Sequence, residues 1–190
     1  MSAVASQYVG GWRIDVERRE GVARLVPDAV LARAIAAALE AVGAPSPASI
    51  GLILSDDAEL AELNAEHMDK DGPTDVLSFP LLAPDEFPDH AGKGSGASGD
   101  ALAARADEGF ALPPGARPHL GDIIVSVERA VDQAGAGRGG QTGDLRWAAR
   151  DELRLLVTHG TLHVCGWDHA DPVEEATMRA LERELLARGS

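Results

Sequence analysis

Cysteine is nearly absent from this chain of 190 residues: Cys165 stands alone. An intramolecular disulfide is therefore excluded, which suits a reducing compartment. Aromatic residues are scarce at 4%. No apolar run approaches the roughly 20 residues that a membrane helix requires. The N-terminus shows no basic stretch leading into an apolar core, so no secretory signal is expected. The expected setting is a soluble protein of the cytoplasm, with no membrane partner. Positive charge is the other shortage: 17 Lys and Arg face 31 Asp and Glu, giving a formal net charge of −14. That balance argues against nonspecific coating of nucleic acid, which rests on Lys and Arg. It does not exclude a nuclease, because a metal ion supplies positive charge within one cleft.

Hydrophobic residues make up 45% and charged residues 25%, the ordinary composition of a folded domain. The length suits one domain over 1–190. Trp12, Ile14 and Val16 alternate with polar residues and predict a half-buried strand. Pro27 opens a helix with apolar residues at Val30, Leu31, Ile35, Leu39 and Val42, closed by Gly43. Further strands are expected at Ile50–Leu54, Val76–Phe79 and Ile123–Val125, with Pro80 marking an end or an edge. Asp56 and Glu59 predict the start of a short helix running to about His67. Helices are also expected over Val127–Ala134, Leu145–Val164 and from Pro172 to about Ala187. Residues 83–118, rich in Ala, Gly, Pro, Ser and Asp, read as a long mobile insertion with a short helix near Ala101–Arg105. It is either a tolerated insertion or a lid or partner-binding loop. Strands falling between helices predict one small sheet packed by helices.

The chemistry concentrates in His159-Gly160-Thr161-Leu162-His163-Val164-Cys165-Gly166-Trp167-Asp168-His169, which holds three of the six histidines. His159 and His163, four apart on a helix, share one face and can reach a single ion. Gly166 lets the chain turn back so that His169 can return as a third ligand. Three nitrogen donors with an open fourth position form the pattern of catalytic zinc. Cys165 falls on another helix face and reads as a small buried residue. Asp168 either hydrogen-bonds a ligand imidazole or caps the turn. Trp167 reads as core or pocket wall. In the peptidase motif H-E-x-x-H the Glu is the general base; here Gly160 stands at that position.

This stretch closely resembles the H-G-x-L-H-L-x-G-Y-D-H signature of the YbeY family, with Val164 for Leu and Trp167 for Tyr. Leu63-Asn64 and Asp71-Gly72-Pro73-Thr74-Asp75-Val76-Leu77-Ser78-Phe79-Pro80 resemble its second block, and Leu120-Gly121-Asp122-Ile123-Ile124-Val125-Ser126 its third. The resemblance runs from about Ile50 to Glu184, interrupted by the long insertion. It implies an α+β fold with a mixed four-stranded sheet, packed by about five helices. It implies one Zn2+ held by His159, His163 and His169. It also implies a single-strand-specific endoribonuclease acting in 16S ribosomal RNA 3′-end maturation and ribosome quality control, with single-stranded RNA and the small ribosomal subunit as partners.

One departure stands out. Where many members carry an aromatic-Arg pair, this chain has His67 and Met68. Lys70 is the nearest substitute in sequence, a point charge without the guanidinium fork. His67 is either functional or helix surface. Asp75 and Asp122 are candidates for orienting a ligand or water, or are turn carboxylates. Two other readings compete: a zinc peptidase or amidohydrolase, against which Gly160 speaks, and a ribosome-assembly factor with little catalysis. The acidic balance, the missing Arg and the insertion favour the last.

Overall fold

Period-two burial shapes the first strands. Ile14 and Val16 are buried in β2 (Trp12–Arg18) while their neighbours are only half-buried. The computed structural model describes residues 4–68, 70–91, 93, 117–136 and 147–188. The remaining described elements are β1 (Val4–Val9), α1 (Asp28–Ala41), β3 (Ala48–Ser55), α2 (Asp57–Met68), β4 (Val76–Pro80), β5 (His119–Ser126), α3 (Val127–Gly135), α4 (Ala149–Val164) and α5 (Pro172–Arg188). The fold is α+β, with a sheet ordered β1-β2-β3-β5-β4. The strands β2, β3 and β5 run parallel; β1 and β4 are antiparallel edges.

The sheet has five strands where four are expected. The extra one, β1, buries no residue, and its polar Ser6 and Gln7 weaken the apolar alternation. Its position comes from a two-residue Gly10-Gly11 hairpin, with Gly10 in the left-handed region at φ 58°. Pro80 ends β4 at the sheet edge, where a missing N–H costs no ladder bond. β5 is longer than the apolar run Ile123–Val125 because His119, Gly121 and Asp122 also pair with neighbouring strands.

Helix ends follow the capping chemistry. Gly43, at φ 66°, ends α1 while its N–H bonds the Glu40 carbonyl (3.1 Å) and Ala44 N–H bonds that of Leu39 (2.9 Å). Asp56 Oδ1 accepts from Glu59 N–H at 2.9 Å and caps α2. Ser126 and Asp171 cap α3 and α5 in the same way. α4 starts at Ala149, later than expected, because Trp147 and Ala148 lie outside the helix; Leu145 is outside the described residues.

α4 is the central element, and every residue from Glu152 to Leu162 is buried. It packs on β4 and β5, with α1, α3 and α5 around it. Gly160 makes that approach possible: a Cβ there would lie 2.6 Å from Ile123 Cγ2 and 2.9 Å from Val76 Cγ2. The Ser78 hydroxyl donates to the Gly160 carbonyl at 3.0 Å. Cross-strand partners share a face, so Ser78 and Ile123 face α4, while Phe79 and Asp122 face the other way. On that second face the α2 residue His67 makes an edge contact with Phe79, ring centroids 5.3 Å apart.

The described start of the insertion is part of the packed structure. A 3-10 turn at Pro84–Glu86 leads to Phe87, 4% exposed in the core. The expected helix near Ala101–Arg105 lies outside the described residues.

Candidate metal centre

The helix α4 carries His159 and His163 one turn apart, and a turn brings His169 back to them. The turn is a Schellman motif: Gly166 adopts φ 81°, its N–H bonds the His163 carbonyl (3.0 Å), and Trp167 N–H bonds that of Leu162 (3.1 Å). One nitrogen from each of His159, His163 and His169 lies within 4.8 Å of the other two. His159 and His163 Nε2 are 3.0 Å apart. The burial is graded: His159 is buried, His163 half-buried and His169 exposed.

Hydrogen bonds fix which nitrogens converge. His159 Nδ1–H donates to Glu182 Oε1 at 2.7 Å, and His163 Nδ1–H donates to the Trp167 carbonyl at 2.8 Å. Each Nε2 is thereby left with a lone pair, and the two lone pairs point at one spot. That arrangement suits a cation between them, with partners on the far ring nitrogens that hold each imidazole in orientation. Burial pushes the His163 imidazole down to about 4, reinforced by the neighbouring His159 and His169 rings. It is therefore neutral near pH 7, the form that ligates. The three histidines could hold one metal ion, and three nitrogen donors leave a fourth position open.

A cleft of about 250 Å3 opens beside the cluster, lined by His159, His169, Glu175, Met178, Arg179 and Glu182. Among these residues Arg179 is the one Lys or Arg, paired with Glu175 at 2.6 Å. Glu182 and Arg179 escape sequence reading. A signal existed for Glu182: it shares the buried face of α5 with Glu174, Met178 and Leu185, and a carboxylate in an apolar stripe calls for a partner.

Other expected site residues are placed as follows. Asp168 Oδ1 accepts from His169 N–H at 2.7 Å and lies 3.8 Å from His169 Nδ1, so it braces the turn rather than hydrogen-bonding the ring. Cys165 is buried beside the three histidines, and burial pushes its thiol up to about 12. Trp167 is buried in the core, the first of its two expected places, and does not line the cleft. Asp75 accepts from Gln133 Nε2 at 3.1 Å and from Val76 N–H at 3.0 Å, at the start of β4. Asp122 lies on the sheet face opposite α4, beside His119 Nε2 at 3.1 Å. Lys70 is exposed just past α2, its N–H 3.4 Å from the Asn64 carbonyl, and Met68 is exposed. Neither Lys70, Asp75 nor Asp122 lines the histidine cleft.

Fold and cluster define an α+β protein with a three-imidazole centre able to hold a metal ion. A family model described as Endoribonuclease YbeY matches residues 17–190. The chain belongs to the YbeY endoribonuclease family. A Salinispora tropica protein named Endoribonuclease YbeY is 41% identical over 161 residues, covering 84% of this chain and 85% of the relative. A protein of the same name from Roseiflexus sp. (strain RS-1) is 34% identical over 174 residues, covering 91% and 90%. A solution structure of a Thermotoga maritima protein matches with TM-score 0.48 and 21% identity, covering 92% of this chain and 88% of that one. No described helix is long and apolar enough to cross a membrane.

Proposed function

We propose that this protein is a zinc-dependent endoribonuclease that hydrolyses single-stranded RNA, with the ion held by His159, His163 and His169. The observation that carries this is the convergence of the ligand nitrogens, with Nδ1 of His159 and His163 each engaged by Glu182 and the Trp167 carbonyl. Membership of the YbeY endoribonuclease family supports RNA as substrate and hydrolysis as the reaction. Nitrogen donors in this number suit zinc. A divalent ion here supplies Lewis acidity and makes water a stronger acid.

The chain's own residues do the rest. The imidazoles spend their lone pairs as ligands and do not accept the proton. Arg179, on the cleft wall, holds a phosphate of the strand. Its guanidinium offers the fork that Met68 cannot. Glu182 keeps the His159 ring in register. The open side at His169 admits an unpaired strand. A peptidase reading needs a Glu at position 160, and the contacts at Gly160 leave no room for one. The finer role, 16S ribosomal RNA 3′-end maturation and ribosome quality control with the small subunit in the cytoplasm, rests on the resemblance of the three sequence blocks.

The test is cleavage of a single-stranded RNA by zinc-loaded protein beside its His163→Ala variant. Cleavage that is lost in the variant, lost on chelation and restored by zinc is expected. Equal cleavage by both proteins would refute the proposal. Cleavage by neither would favour the assembly-factor reading.

A further inference from the structure

The insertion enters the structure through an arm that touches the metal turn. His90, from this arm, stacks on Trp167 with ring centroids 3.9 Å apart and planes 6° from parallel. Its Nε2–H donates to Glu174 Oε1 at 2.7 Å. Both side chains are nearly sealed from solvent, at 8% and 4% exposure. The same Glu174 oxygen accepts from Asp168 N–H at 2.8 Å.

That N–H belongs to the peptide group joining Trp167 to Asp168. The carbonyl of this same peptide group is the acceptor for His163 Nδ1–H. A peptide group is planar and rigid. Fixing its N–H through Glu174 therefore fixes the direction of its carbonyl, and the carbonyl orients the His163 ring. His90 completes the clamp twice: its hydrogen bond holds the Glu174 carboxylate, and its ring covers the indole of Trp167. Stacked aromatic pairs contribute about 0.5–1.5 kcal/mol beyond burial.

We propose that His90 is a positioning residue for the metal centre, acting through Glu174 and the 167–168 peptide group to orient His163. The insertion is then built into the metal centre at its start. This inference rests on the reading of the three histidines as metal ligands. Direct hydrogen-bond partners of a ligand alter metal affinity about tenfold to a hundredfold when removed; His90 acts one step further out, through Glu174 and the peptide group, so its removal has a smaller effect.

The test uses the full chain and its His90→Ala and His90→Phe variants. Each apo protein is checked for folding by circular dichroism. Cobalt(II) is then titrated in, with visible spectra recorded, and zinc release to a chelator is timed. The unaltered protein is expected to bind one equivalent of cobalt with a tetrahedral spectrum. His90→Ala should bind it more weakly, by up to about tenfold, and release zinc correspondingly faster. His90→Phe keeps the stack without the hydrogen bond and should fall between the two. Should His90→Ala fail to fold, the comparison rests on His90→Phe. Metal binding by folded variants that equals that of the unaltered chain would overturn the inference while leaving the metal-site reading intact. Failure of the unaltered chain to bind either ion would overturn both.

Discussion

Glu182 reaches across from α5 to hold His159 Nδ1 at 2.7 Å, and both side chains are buried. A carboxylate sealed in this way is held in place by the imidazole N–H, and the imidazole by it. Glu182→Gln retains a hydrogen-bond acceptor but loses the charge that raises ligand basicity. Zinc affinity should drop about tenfold to a hundredfold, read by competition with a chelating dye. Affinity unchanged from the parent would show that the contact does not tune the metal.

Gly160→Ala places a methyl where Ile123, Val76 and Ser78 already stand. Overpacking of this kind costs about 1–3 kcal/mol. Urea unfolding should show the loss as a lower midpoint. A midpoint equal to the parent's would mean that α4 can lift from the sheet at no cost.

The Cys165 thiol carries a pH signature. Burial raises its pKa from 9.0 to about 12, so the folded state keeps a proton that the unfolded state gives up. The stabilising contribution is full below pH 9 and is lost as pH rises from 9 towards 12. Cys165→Ala should flatten that decline in stability measurements. The native protein should also resist thiol reagents at pH 8, reacting only when unfolded. Rapid labelling of the native state would contradict the burial.

Arg179→Ala removes the one guanidinium among the described residues that line the cleft. RNA affinity should weaken across sequences, and the salt dependence of binding should lose about one unit of slope. Zinc content should not change. An unaltered salt slope would remove Arg179 from the phosphate path.

Much of this is legible in the sequence alone. The His159/His163 pair, the Gly166 turn and the caps at Gly43 and Asp56 follow from local chemistry, which spacing records directly. What escaped was long-range. Glu182 meets His159 across 23 positions; its place in the buried stripe of α5 calls for a partner, but nothing local says which one. β1 leaves little trace in the sequence because an edge strand with no buried residue needs little apolar alternation, although Gly10-Gly11 marks its hairpin. Phe87 and His90 were hidden in a stretch whose average composition reads as loop. Asp122 looked eligible by motif, yet strand alternation turns it away from α4, and only the position of α4 reveals that.

The graded burial of the three histidines sets an order of events. His159 and His163 ride on a helix whose position the core already dictates, so they form a ready bidentate receptor. His169 sits on an exposed turn, and on the proposed zinc reading it is the ligand whose ordering entropy is settled last. We expect capture to begin at the helix pair and to finish with the latching of the turn. Release should run in reverse, at a rate set by local opening rather than by global unfolding. Hydrogen exchange with and without zinc distinguishes the orders: added protection should concentrate at His169 and Ala170, beyond the clamped 167–168 peptide group, and scarcely touch α4. Protection gained chiefly in α4 would mean that the helix pair is assembled by the ion rather than waiting for it.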